Sequence, residues 1–195
     1  NAALIDKAYH IYRTKWHADA ENAVLFREPN CQPATIKFLG VWDTVGALGI
    51  PLRLFQSANE DRYQFHDTSL SSIVENAYHA LAIDEKRKPF APTIWKTSKD
   101  RERTEQSWFA GVHSDIGGGY REAGLSHLAL QWMAEKASMS GLELDDNYLS
   151  AVYGTHNDAQ LHNSYKGAMR ALGSLRRPII ATNSDETLHL SAEQR

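Results

Sequence analysis

The 195-residue chain has a single cysteine, Cys31, which excludes an intrachain disulfide framework and a multi-cysteine metal site. One thiol suits a reducing compartment without fixing it. The chain has no surplus of either charge: 21 Lys+Arg stand against 24 Asp+Glu, a formal net of −3. That balance offers no general attraction to nucleic acid or an anionic membrane, and no nucleic-acid partner is expected. No apolar run reaches the roughly 20 residues that cross a bilayer, and the amino end carries no signal-peptide pattern. There is no internal repeat and no low-complexity segment. Nine histidines are present, and His66-Asp67, His79 with Asp84, and His113-Ser114-Asp115 place ligand atoms close in sequence. None has a diagnostic spacing such as H-E-x-x-H, so no bound metal is expected. The run I-G-G-G-Y lacks both a Gly-Lys-Ser/Thr ending and a dinucleotide spacing, so neither a nucleotide nor any other cofactor is expected. What remains is one domain over residues 1–195 with a sizeable core.

The most informative stretch is Trp108 to Tyr120, W-F-A-G-V-H-S-D-I-G-G-G-Y. Ser107 to Val112 is short, apolar and aromatic enough for a buried strand, and Gly117, Gly118 and Gly119 can take backbone angles closed to other residues. His113 therefore falls where a strand gives way to an irregular turn. Ligands of open α/β sheets bind beyond the carboxyl ends of the strands, so a titratable side chain there is a candidate for chemistry. A lone histidine can equally be a satisfied packing residue. A second stretch, T-I-K-F-L-G-V-W-D-T-V-G-A-L-G from Thr35 to Gly49, repeats the pattern: Ile36 to Trp42 reads as a strand that ends in Asp43, followed by a turn with Gly46 and Gly49. Strand, carboxylate, turn is how an α/β-hydrolase presents the acid of a nucleophile-His-acid triad, and acid before histidine is that fold's chain order. The plainer reading of Asp43 is a cap on the turn.

Along the rest of the chain, Leu4, Ala8, Ile11 and Tyr12 recur at helical spacing, which predicts an amphipathic helix from Ala2 to about Trp16, followed by a connector at Glu28 to Pro33. Leu48 to Phe55 is an irregular loop that could cover a site. Asp67 or Ser69 as a cap, with Leu70, Ile73, Val74, Ala77 and Leu81 as an apolar face, predicts a helix to about Ile83. Pro89 and Pro92 break the chain there. Thr93 to Trp95 reads as a short edge strand and Lys96 to Gln106 as a charged, solvated loop. Leu125 to Ser140 reads as a helix stopped by Gly141, Asp145 to Tyr153 as another, and Arg176 to Ala181 as a short strand. Asp115 is expected to tie the glycine turn to backbone amides rather than to act as a second catalytic acid.

Four ordered stretches, F-L-G-V-W-D-T-V-G, H-A-L-A-I-D-E-K-R with F-A-P-T-I-W after it, W-F-A-G-V-H-S-D-I-G-G-G-Y, and L-S-H-L-A-L-Q-W-M, carry a resemblance, with a weaker echo in the closing L-H-L-S-A-E-Q-R. The chain resembles the α/β-hydrolase-like domains that include the phospholipase effectors of bacterial type VI secretion. The resemblance implies a mostly parallel sheet flanked by helices. It also implies a triad in which Asp43 is the acid, His113 the general base, and a serine in a G-x-S-R-G-type elbow the nucleophile. No G-x-S-x-G occurs in these 195 residues. With an opening helix and no leading strand, the chain is expected to be the carboxyl-terminal part of a larger catalytic domain that lacks its first strands and elbow, and inactive alone.

The expected function is therefore part of a serine hydrolase of carboxylic esters, of a lipid in particular. Its implied partners are the ester or lipid substrate, a transient membrane surface, an immunity or secretion-apparatus protein, and the missing amino-terminal part of the same domain. The implied location is the cytoplasm, or a target cell reached without a signal peptide. Two other readings stand beside it: a non-catalytic binding or structural module that keeps the fold without a nucleophile, and a metal-dependent hydrolase that a chelator would silence.

Overall fold

The computed structural model describes residues 2–13, 20–45, 70–95, 104–153, 159–180 and 185–193. The loop at Leu48 to Phe55, the caps Asp67 and Ser69, the histidines His66 and His156, and the charged residues 96–103 lie outside the described residues.

The frame is a parallel four-stranded sheet in the order β1 (Leu39–Trp42), β2 (Ala77–Ala82), β3 (Thr104–Phe109), β4 (Glu186–Leu188). Parallel sheets are covered on both faces, so their central strands read as continuous apolar runs. All six residues of β2 and five of the six in β3 are buried. One face of β2, Tyr78, Ala80 and Ala82, packs with Phe109, Ile116 and Phe38 against Ala129, Trp132 and Met133 of the helix Gly124–Met139, here α4. Trp132 meets Tyr78 and Phe109 edge-on at centroid distances of 5.9 and 5.5 Å, the favoured geometry for aromatic pairs. The helix and sheet close tightly at Gly40, where a Cβ would stand 2.6 Å from Met133 Sδ. On the opposite face, His79 lies against Trp95 at 5.0 Å, and the Gln106 side-chain amide bonds both the N–H and the C=O of Trp95.

Five other α-helices are described: α1 (Ile5–Arg13), α2 (Glu21–Asn30), α3 (His113–Gly117), α5 (Asp146–Tyr153) and α6 (Leu190–Glu193). The expected opening helix is present as a 3₁₀ turn at Ala2–Leu4 running into α1. The helix stopped by Gly141, at φ 96°, matches α4.

The structure corrects several expectations. Residues Ala77 to Ala82 form strand β2 rather than the end of a helix. Their helical spacing is a coincidence of a short run that is buried on both faces, which periodicity alone cannot tell from a helix segment. Ile73 is 45% exposed, and Val74 forms an isolated parallel bridge to Ile36 rather than part of a helix. Thr93 to Trp95 is a strap rather than a strand, anchored by the Thr93 N–H on the Thr44 carbonyl at 2.8 Å. Thr104 to Gln106 belongs to buried β3 rather than to a solvated loop. Helix α2 occupies part of the expected connector, with Pro29 in its last turn and the Asn30 side chain donating to the Phe26 carbonyl at 2.7 Å. Described residues 176–180 form no strand. The fourth strand is instead Glu186–Leu188, at the start of the closing L-H-L-S-A-E-Q-R echo.

Candidate active site

Asp43 is the first residue past β1. Its N–H donates to the Ala80 carbonyl at 2.7 Å, and its backbone then turns left-handed at φ 43°. That region is open to aspartate more readily than to most side chains. The turn is held from below by His79, whose Nε2 accepts the Thr44 N–H at 3.0 Å. A ring nitrogen that accepts is unprotonated, so His79 is the neutral Nδ1–H tautomer. Burial pushes its pKa down to about 4, against the upward pull of the Asp43 carboxylate.

His113 arrives from β3. The chain leaves Phe109 through Gly111, at φ 133°, where a Cβ would stand 2.6 Å from the Asp115 Cβ. The turn is pinned to the end of β2 by the Gly111 N–H on Asp84 Oδ2 at 2.8 Å and the Asp84 N–H on the Gly111 carbonyl at 2.9 Å. His113 then begins a short helix, α3, rather than an irregular turn, and Gly117 closes that helix. Gly118 and Gly119 follow at φ 83° and 122°. The His113 N–H donates to Glu85 Oε2 at 3.3 Å, and the Phe90 ring stands edge-on to the imidazole at 5.1 Å.

The two expected site residues are thereby brought together: His113 Nδ1 lies 2.7 Å from Asp43 Oδ2. The Asp43 side chain is wholly buried and that of His113 is 31% exposed. A carboxylate only accepts, so Nδ1–H is the donor, and in the neutral imidazole Nε2 is then the acceptor nitrogen. Asp43 Oδ1 accepts the Ala82 N–H at 2.9 Å.

The residue that sequence reasoning missed is Arg177. Its guanidinium sits on Asp43 with both arms, Nη1 to Oδ1 at 2.6 Å and Nη2 to Oδ2 at 3.0 Å, and the same two nitrogens also donate to the carbonyls of Ala82 and Phe90 at 2.6 and 2.5 Å. Burial would raise the Asp43 pKa. The bonds from His113 and Arg177, the Arg177 charge and the Ala82 amide reverse that and hold it below the ordinary carboxylate value. In sequence, Arg176-Arg177-Pro178 gives no local sign of this role.

Asp115 does accept backbone amides, but they are those of Val112 at 2.9 Å and His162 at 3.2 Å rather than those of the glycines. Its other oxygen meets His162 Nδ1 at 2.6 Å, under a Tyr120 ring stacked on the imidazole at 3.7 Å. Glu85 is saturated in the same way by Arg87 and the Ser164 hydroxyl. Among the described residues no group of three or more histidine, cysteine or acidic side chains is arranged to hold a metal ion.

The model of the catalytic domain of Tle1-like phospholipase effectors of type VI secretion matches residues 2–136. The chain belongs to this family. No curated protein and no solved structure matches it. The family match takes in Asp43, His113 and three of the four strands, and leaves Arg177, His162 and β4 beyond its end.

Proposed function

We propose that this chain supplies the acid and the general base of an α/β-hydrolase-type phospholipase, with Asp43 and His113 in a Ser-His-Asp triad. The observation that carries the reading is the 2.7 Å bond between Nδ1 of a part-exposed His113 and a fully buried Asp43, the arrangement in which Nε2 is the nitrogen turned to the reaction. In the reaction, Nε2 takes the proton from a serine hydroxyl as its oxygen attacks the ester carbonyl. The imidazolium then gives that proton to the departing alcohol oxygen, leaving an acyl-serine. Water, deprotonated by the same nitrogen, attacks the acyl group and releases the fatty acid and the serine. Asp43 fixes the tautomer and stabilises the imidazolium in both halves.

The chain contains no G-x-S-x-G, so the serine is assigned to residues outside these 195, and the chain by itself is inactive. The substrate is a membrane phospholipid of a target cell, and an immunity protein and the secretion apparatus are the macromolecular partners. A fluorophosphonate probe on the full-length protein tests the serine mechanism. One serine should be labelled, and labelling should be far slower in His113→Ala. Hydrolysis of phospholipid by a protein in which no serine reacts would refute it, as would hydrolysis abolished by a chelator and restored by metal.

A further inference from the structure

We infer that Arg177 is the positioning residue of the acid: it aims the Asp43 carboxylate at His113 and offsets part of its charge. The inference rests on the triad reading above and extends it to a residue outside the family match.

The geometry is a closed set of four donors on one carboxylate. Oδ1 takes the Ala82 N–H and Arg177 Nη1, while Oδ2 takes His113 Nδ1 and Arg177 Nη2. A carboxylate held by a single imidazole could rotate about its Cβ–Cγ bond; one gripped by a planar fork cannot. The fork is itself held in place, because the second protons of Nη1 and Nη2 go to the Ala82 and Phe90 carbonyls and only 1% of the side chain is exposed. Phe90 also packs edge-on against His113, so one guanidinium ties together the acid, the end of β2 and a segment touching the base.

The charge has a second consequence. A carboxylate beside an imidazole favours the imidazolium, and a cation on the far side of that carboxylate weakens the effect. Arg177 therefore disperses part of the carboxylate charge that faces His113. Other charged or titratable groups surround the pair. Glu85 faces the His113 N–H and Arg87 bonds Glu85 while lying over Phe90; His79 beneath Asp43 is neutral, and Asp84 and Asp115 sit at either end of the Gly111 turn. These remain in every variant below, so a difference between variants reports Arg177.

The test is kcat and KM for a soluble carboxylic ester in the full-length protein, for wild type, Arg177→Met and Arg177→Lys, with His113→Ala as reference. Methionine removes charge and fork together, and kcat should fall by at least 10-fold while KM stays within a few-fold of wild type. Lysine keeps the charge without the fork, so kcat should fall there as well with KM again little changed. Wild-type kcat in Arg177→Met or Arg177→Lys, or a loss confined to KM, overturns the inference while His113→Ala is inactive and the triad stands. Turnover in His113→Ala overturns the triad itself. If Arg177→Met does not fold, the lysine variant decides by its kcat. Loss of the fold in both variants would make Arg177 a core strut and overturn its role in aiming the acid.

Discussion

Asp43 and His113 leave β1 and β3, the two strands that flank β2, and meet 2.7 Å apart over its end, where the Ala82 N–H holds the same carboxylate. Three neighbouring parallel strands thus contribute one element each: Asp43, the amide that anchors it and His113.

The approach of His113 depends on Gly111. An alanine there would face a left-handed backbone and a 2.6 Å contact with the Asp115 Cβ at once. Gly111→Ala should therefore destabilise the chain by about 1–3 kcal/mol and displace α3, so that urea melts and ester turnover both suffer. Unchanged values in both would show that the turn can adapt.

Acid sensitivity should have two separable sources. His79 titrates at about 4 when folded, against an ordinary histidine value of 6.5, so between those values the unfolded chain binds a proton that the folded chain refuses. Stability is then lost as pH falls from 6.5 towards 4, by on the order of 3 kcal/mol for this one group. His189, whose pKa burial also lowers, adds in the same direction. Asp43 acts below that window. Its folded pKa lies under 3.8, so the stability it contributes is complete above 3.8 and disappears as pH drops through the folded value. His79→Gln keeps an acceptor for the Thr44 N–H. Urea titrations at pH 7 and pH 5 should show a smaller loss in that variant than in wild type, and equal losses would contradict the assignment.

Asp115 is a brace on His162 and the start of α3. Asp115→Asn should lower stability by about 1–3 kcal/mol with ester turnover of the folded protein kept within a few-fold. Thermal melts and steady-state rates together decide it: lost turnover at an unchanged melting temperature would make Asp115, not Asp43, the acid.

Asp43 and His113 were legible in sequence as candidates because each is announced locally, by an apolar run that leads into a titratable residue and a glycine turn, and the structure brings the two together. Family membership was legible for the same reason, since its motifs are continuous stretches. Arg177 was not, because the bond that defines its role spans 134 residues and nothing beside it in the chain marks a guanidinium that will be buried. Strand β2 was misread as helix because a six-residue run buried on both faces carries no period. Strand β4 is three residues long and alternates with polar neighbours, too little pattern to stand out before β3 provides its edge.

The most direct test of the central claim is phospholipid hydrolysis by the full-length protein carrying Asp43→Asn. The amide preserves the shape but can donate to Nδ1, which favours the wrong imidazole tautomer. Turnover should fall by on the order of 10⁴-fold, the size of this effect in a serine protease triad, with circular dichroism unchanged. Near wild-type hydrolysis by that variant would contradict the account.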